Sequence, residues 1–344
     1  MRTTHWLTKC FVISLPLLGL LAVVVWLNGC FFFNYPKVSD SKSVSSLSQV
    51  RVVQHFMGKT IVPAHPQRVV VLSGDCLENA LALGIKPIAA SKSFVSQLQR
   101  LVGPLSGIED VDWLSPSIEK VLFLKPDLIL GMHFHQDIYP LLSHIAPTVL
   151  APPGASGAWK ESFAFTASVL GKTKTAQQVM DNYYARLKQF KAKMGDAYGN
   201  PKRERLNTTL VSVAELRTDA LWLWAKASFS GVILKDAGVA RPYSQTLDSQ
   251  ATLSLGGGPA AYALSEELLS ELDGDILFLV SEDVLGKRDL HSILEQLKAK
   301  PLWSKLKVVQ QKKVHEVGFY WVQFGPLAAN RMIDDLEQYL VKQQ

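Results

Sequence analysis

The amino-acid sequence predicts an α/β protein of two lobes. Each lobe is a mainly parallel sheet flanked by helices, and one long helix joins them with a ligand cleft between. Three observations predict this. From Arg51 onward, short β-branched runs alternate with longer amphipathic stretches, the pattern of parallel strands covered on both faces. A helix-compatible stretch from Trp159 to Met194, with Gly171 as its break, divides that alternation in two. The 344 residues, 48% apolar and 19% charged, suffice for the cores of two ordinary domains and exclude global disorder.

The chain opens with a leader. Arg2 and Lys9 precede an apolar run from Cys10 to Leu27, which ends in Leu27-Asn28-Gly29-Cys30. A positive start, an apolar centre and a small residue before the cut predict a secretory signal over residues 1–29. A cut before cysteine resembles the bacterial lipoprotein pattern, with Cys30 lipidated and becoming the mature N-terminus. An uncleaved anchor is the alternative, since about 20 apolar residues can span a bilayer. Either route places the remainder outside the cytoplasmic membrane, tethered to it. Serine-rich residues 30–50 then read as a flexible stalk. Beyond Cys10 and Cys30, Cys76 has no partner for an internal disulfide, and burial as a small apolar residue is expected of it.

The first lobe spans 51–158. Strands are predicted at Arg68–Ser73, Pro87–Ala90, Asp127–Gly131 and Thr148–Ala151, with helices at Leu77–Leu83, closed by Gly84, and Glu119–Leu124. The connecting segment is 159–198, where Thr173–Met194 makes a helix of about 33 Å. The second lobe, 199–344, has strands at Thr209–Val213, Ala220–Ala225, Asp275–Val280 and Lys307–Val317. Its helices are expected at Phe229–Ala237, Leu290–Ala299 and Leu327–Leu340. Interlobe clefts are favoured ligand sites.

Charge and motifs narrow the function. The net charge of +6 falls to +4 without the leader, which holds Arg2 and Lys9 and no acids. The remaining cations are mixed with acids, so a nucleic-acid groove is set aside. No Gly-x-Ser-x-Gly elbow and no His-Glu-x-x-His pattern occurs, and nothing brings His315 and Asp334 to Ser230. Gly256-Gly-Gly-Pro259 lacks the Gly-Lys-Ser/Thr ending of a phosphate loop. A binding protein is expected rather than an enzyme; an exported metal-dependent hydrolase is the distant alternative. His133 and His135 follow a strand's carboxyl end, where open α/β sheets bind ligands, and two histidines at i and i+2 could touch a metal together. A full site needs three or four ligands, with His144 as the nearby third candidate; polar loop histidines are the plainer alternative.

Several segments carry a family resemblance. They are His65-Pro-Gln-Arg-Val-Val-Val71, Glu78-Asn-Ala-Leu-Ala-Leu-Gly-Ile-Lys-Pro87, Pro116-Ser-Ile-Glu119 with Leu124-Lys-Pro-Asp-Leu-Ile-Leu130, and Ile145-Ala-Pro-Thr148. Ser228-Phe-Ser-Gly231, Leu234-Lys-Asp-Ala-Gly238, Pro301-Leu-Trp303, Tyr320-Trp321, Gly325-Pro-Leu-Ala-Ala329 and Asp334-Asp-Leu336 continue the series. In order and spacing, over nearly all of 51–342, they resemble the helical-backbone substrate-binding proteins of bacterial ABC importers, specifically the iron-siderophore group. The resemblance implies two Rossmann-like lobes and a tethered, monomeric protein without resident cofactor. It implies a ferric siderophore as ligand and an ABC permease as partner, with cobalamin, heme or a free metal ion as alternatives.

The resemblance also implies site residues. Relatives dock on their permease through one glutamate per lobe, which matches Glu78 and, with Glu266 as the neighbouring register, Glu267. An anionic chelate with flat faces calls for arginine and stacking aromatics. Arg217 precedes a strand on which Trp222 and Trp224, two apart, share a face. Tyr320 and Trp321 follow another strand, and Trp113 lies in a loop; Arg241 is a further candidate. Each tryptophan could instead pack a core.

Overall fold

The computed structural model describes residues 50–196, 208–282, 290–322 and 325–341. The expected leader, Cys30 and all of the expected stalk but Val50 lie outside the described residues.

An antiparallel hairpin comes first, β1 (Val50–His55) and β2 (Gly58–Pro63), turning at Phe56-Met57. It had no counterpart in the predicted elements. Its anchor is Arg51, whose guanidinium donates to the carbonyls of Ser168 and, at 2.7 Å, Val169. Both carbonyls lie in the last turn of a helix; Ser168 also accepts a long 3.4 Å bond from the Gly171 N–H, and the arginine satisfies Val169.

The first lobe then runs β3 (Val69–Val71), α1 (Gly74–Ala82), β4 (Ala89–Ala90), α2 (Lys92–Val102) and β5 (Glu109–Asp110). It continues through α3 (Ile118–Phe123), β6 (Leu128–Met132), α4 (Tyr139–Ile145) and β7 (Thr148–Ala151). The sheet is wholly parallel, in the order β5-β4-β3-β6-β7. Strands β3, β4, β6 and β7 read as near-continuous apolar runs because both faces are covered, whereas the edge strand β5, Glu109-Asp110, is exposed. Val69, Val71, Leu128 and Leu130 enter one core, while Val70 and Ile129 enter another on the opposite face.

The connector is two helices, α5 (Trp159–Leu170) and α6 (Thr173–Asp196). Gly171 separates them at φ +69, and a Cβ there would lie 2.5 Å from the Ala64 carbonyl oxygen. The left-handed turn and the close approach both require glycine.

The second lobe contains β8 (Val211–Leu216), β9 (Leu221–Trp224), α7 (Phe229–Ala237), α8 (Ser249–Ser254), β10 (Ala261–Leu264) and β11 (Ile276–Val280). After it come α9 (Leu290–Lys298), α10 (Pro301–Ser304), α11 (Lys307–Gln310), β12 (Val314–Val317) and α12 (Pro326–Leu336). The sheet order is β10-β9-β8-β11-β12, with β8, β11 and β12 parallel and β9 antiparallel to both neighbours. The strand expected over Lys307–Val317 is therefore half helix. Asp273 accepts from the N–H groups of Lys307 and Val308 at 3.0 Å each, capping a helical turn. Lys312, at φ +56, then reverses the chain into β12.

One core spans the two lobes. It joins Leu77 of α1, Tyr183 and Phe190 of α6, Phe278 of β11 and Met332 of α12. Side-chain ties reinforce it: Arg186 of α6 donates to the Asn330 carbonyl at 2.9 Å, and Lys193 pairs with Glu337 at 2.8 Å. Among the described residues no helix is long and apolar enough to cross a membrane.

Candidate functional site

The carboxyl ends of the parallel strands gather the chemistry, as open α/β sheets do. In the second lobe the sheet order lines up Trp222 on β9, Arg217 just past β8, Glu282 past β11 and Tyr320 past β12. Arg217 is braced from two sides. Its guanidinium lies 2.7 Å from Glu215 and 4.3 Å from the centre of the Trp222 ring. With 30% of its side chain still exposed, the charged plane stays reachable. Trp224 is on the same face, 5.8 Å from that guanidinium, but it is buried, so it backs the site rather than lining it.

The first lobe contributes α2 and the loops after β5 and β6. Trp113 packs between Phe94 and Phe134, at 5.7 and 6.1 Å, and remains partly exposed. His135 is buried beneath it. Its Nδ1 accepts from the Met132 N–H at 3.1 Å and its Nε2 donates to the Trp113 carbonyl at 2.7 Å. Burial lowers its pKa, so the ring is a neutral brace that fixes Trp113. Gly131 makes room for it: a Cβ there would meet His135 Nδ1 at 3.0 Å.

This arrangement corrects the histidine-pair expectation. With both nitrogens of His135 engaged, it cannot share a metal with His133. His133 turns elsewhere, lining a first-lobe cavity of about 320 Å³ with Asp75 and Pro152. His144 is exposed on α4. Among the described residues no group of three or more His, Cys, Asp or Glu side chains is placed to hold a metal.

Between the lobes lies a cavity of about 450 Å³, walled by Gln97, Leu98, Arg100 and Leu101 of α2 on one side. Glu282, Gly318, Phe319, Tyr320 and Arg331 form the other. Arg100 forms an ion pair with Glu282 across it. Tyr320 donates to Asp335 at 2.6 Å, and Arg331 sits 5.9 Å over its ring. Burial, with Asp335 beside it, pushes the Tyr320 hydroxyl well above its usual range, so it stays a donor. Gln97, Arg100, Glu282 and Arg331 were absent from the predicted site. The signal for the first two is the amphipathic pattern of 92–102, which forms α2.

Three further expectations change. Trp321 is fully buried, stacked on Phe278 at 4.1 Å with its indole N–H donating to Asp335, and so belongs to the core. Arg241 lies beyond the last residue of β9, donating to the Trp224 carbonyl and to Gln245, away from the cleft edge. Glu78 is wholly buried. Its carboxylate accepts from the N–H groups of Gly325, Leu327 and Ala328 at 2.6, 2.7 and 2.9 Å. It caps α12 of the second lobe from α1 of the first, and presents no surface to a partner. Glu267 is exposed, on a short 3-10 helix after β10, as expected. Cys76 is buried under Gly131, and burial pushes its thiol up to about 12.

Known proteins fit this geometry. The "Probable siderophore-binding lipoprotein YfiY" of Bacillus subtilis is 33% identical over 342 residues, spanning 96% of this chain and 98% of that protein. The "Achromobactin-binding periplasmic protein" of Dickeya dadantii is 29% identical, covering 79% of this chain and 85% of its own length. Among solved structures, Staphylococcus aureus SirA complexed with staphyloferrin B superposes with a TM-score of 0.69 at 24% identity, covering 84% of this chain and 98% of SirA. The family model described as "Periplasmic binding protein" matches residues 69–320, and with the two-lobed fold it establishes that the chain belongs to the periplasmic binding protein family.

Proposed function

We propose that this chain is the extracytoplasmic binding component of an ABC importer, capturing a ferric siderophore between its lobes and presenting it to a membrane permease. The observation that carries the reading is the interlobe cavity. It joins Arg100 and Arg331 with Tyr320, on the same carboxyl edge that holds the Arg217–Trp222 stack. Guanidinium planes and aromatic faces suit an anionic chelate with flat donor groups. The curated relatives named for siderophore and achromobactin binding support the same cargo. Lipidation at Cys30 would hold the body at the outer face of the cytoplasmic membrane.

Docking is reassigned from Glu78. Ser117-Ile-Glu119 and Ser265-Glu-Glu267 each precede an aspartate ten residues after the serine, Asp127 and Asp275. Both aspartates do the same work: Asp127 accepts from the Arg68 N–H at 2.9 Å, and Asp275 from the Leu210 N–H at 2.9 Å, each at the start of a neighbouring strand. Glu119 and Glu267 thus occupy equivalent places on the two lobes. Both are exposed, and exposed apolar residues flank them, Phe123 on one lobe and Leu268 on the other. A carboxylate with an apolar neighbour on each lobe makes a two-point grip for permease arginines.

Tryptophan-fluorescence titration of the full chain with ferric catecholate, hydroxamate and citrate chelates tests the cargo. Saturable quenching by a ferric class supports the reading; response only to cobalamin, heme or zinc overturns it. Cells carrying Glu119→Ala with Glu267→Ala should lose uptake while the purified variant still binds, and undiminished uptake would sink the docking pair.

A further inference from the structure

Two features of the interlobe cavity go unused by simple capture. Gln97 lines it with a side chain only 7% exposed, and neither its amide nitrogen nor its amide oxygen has a hydrogen-bond partner. Buried amides are almost always paired, so an orphaned donor and acceptor in the wall of a cavity leave two hydrogen bonds unmade that a small side-chain turn would offer to a ligand. The second feature is Glu282. One of its oxygens pairs with Arg100 of the opposite lobe, and the other accepts from the Phe319 N–H at 2.8 Å. A carboxylate of the protein therefore occupies Arg100 inside the cleft. Arg331, the cavity's other guanidinium, faces Asp335 at 3.5 Å and Tyr320.

Resting on the cleft's reading as a ferric-chelate site, we infer that Glu282 is an internal stand-in for a carboxylate of the ligand. A chelate with a free carboxylate arm displaces Glu282 from Arg100, and the Gln97 amide pairs with the hydroxyl or amide beside that arm. The exchange replaces one charge-assisted contact by another, so it costs little. Arg100 is 57% exposed, which keeps the internal pair weak and readily exchanged. A chelate without a carboxylate has nothing to put in the place of Glu282. The ligand class selected is a carboxylate-bearing ferric complex.

A double-mutant cycle on the full chain tests this, with ferric citrate and a ferric tris-hydroxamate as probes. Glu282→Gln removes the competitor, so ferric citrate should bind about two- to fivefold tighter, the range expected of a half-exposed ion pair. The tris-hydroxamate should be unmoved. Arg100→Gln should weaken ferric citrate, and in that background Glu282→Gln should add nothing. Gln97→Leu should raise the melting temperature yet weaken ferric citrate, a pairing that a purely structural amide would not produce. A gain from Glu282→Gln that persists without Arg100 shows long-range repulsion and overturns the exchange, as does an equal gain for both chelates. Wild-type protein that binds a ferric chelate while Glu282→Gln changes nothing defeats the exchange alone. Wild-type protein that binds neither of these chelates nor a ferric catecholate defeats the capture reading, and the exchange falls with it; binding of the catecholate alone defeats the exchange and leaves capture standing.

Discussion

Glu78→Ala is the substitution whose outcome separates a structural from a docking role most cleanly. The carboxylate satisfies three N–H groups at the start of α12, from a helix about 250 residues away in sequence. Its loss leaves those donors buried without a partner and opens a hole between α1 and α12. An unsatisfied buried donor costs about 1–3 kcal/mol, so three donors left without their partner put the loss at about 3–5 kcal/mol or more. At roughly 2–3 °C per kcal/mol for a chain of this size, calorimetry should record a fall of about 6–15 °C. Glu78→Gln adds a pH test. Burial outweighs the three hydrogen bonds and pushes the folded pKa up to about 8 from 4.5. Folding then takes up a proton, so this group's stabilising contribution is complete below about pH 4.5 and is lost as pH rises through about 8. The glutamine variant should lack that slope. Wild-type melting and chelate binding in Glu78→Ala, with uptake alone abolished, would refute the capping account and return Glu78 to the surface role.

Other outcomes follow from burial. Cys76, its thiol pushed up to about 12, should react with a thiolate-directed reagent at pH 8 about a thousandfold more slowly in the native protein than in denaturant; comparable rates would place it at the surface. Trp321→Ala should cost about 3–5 kcal/mol in denaturant unfolding, whereas Trp222→Ala should cost about 1–2 kcal/mol and chiefly weaken the chelate. Equal losses of stability would mean that Trp222 is core as well. Because one core and the Glu78 cap join the lobes, ligand should change the radius of gyration in solution scattering by less than about 1 Å; a larger contraction would reveal hinge closure that these ties should prevent.

The elements that could be read from sequence are those whose own residues decide them. Phe229–Ala237 was fixed by the Ser228 cap and Gly238, and Thr148–Ala151 by its short apolar run between breaks. The hairpin at Val50–Pro63 escaped because it is held by Arg51 reaching carbonyls more than a hundred residues on. Lys307–Gln310 turned helical because Asp273, remote in sequence, supplies the cap. The site divides the same way. That Arg217 and Trp222 come side by side was legible because both sit on the short β8–β9 hairpin. Trp321 and Tyr320 are sequence neighbours that part at the Phe278 stack, and the number of residues between them and β12 cannot reveal which one turns inward. Glu78 was misplaced for a similar reason: a glutamate at a helix start reads as solvated until the other lobe's helix arrives over it.

That misplacement bears on how a captured ligand is signalled. A glutamate at the surface of α1 would leave the lobes free to set the spacing of the docking carboxylates. Glu78 instead ties α1 to α12, α12 is stapled to α6 by Arg186 and Lys193, and the shared core runs through all three helices. On the docking proposed above, the spacing of Glu119 and Glu267 is then expected to be set by the frame and to change little on loading. What ligand entry would change on the exchange inferred above is local: whether Arg100 holds Glu282. On that docking, a permease that distinguishes loaded from empty protein would read the cleft rim between Glu119 and Glu267 rather than the distance between them.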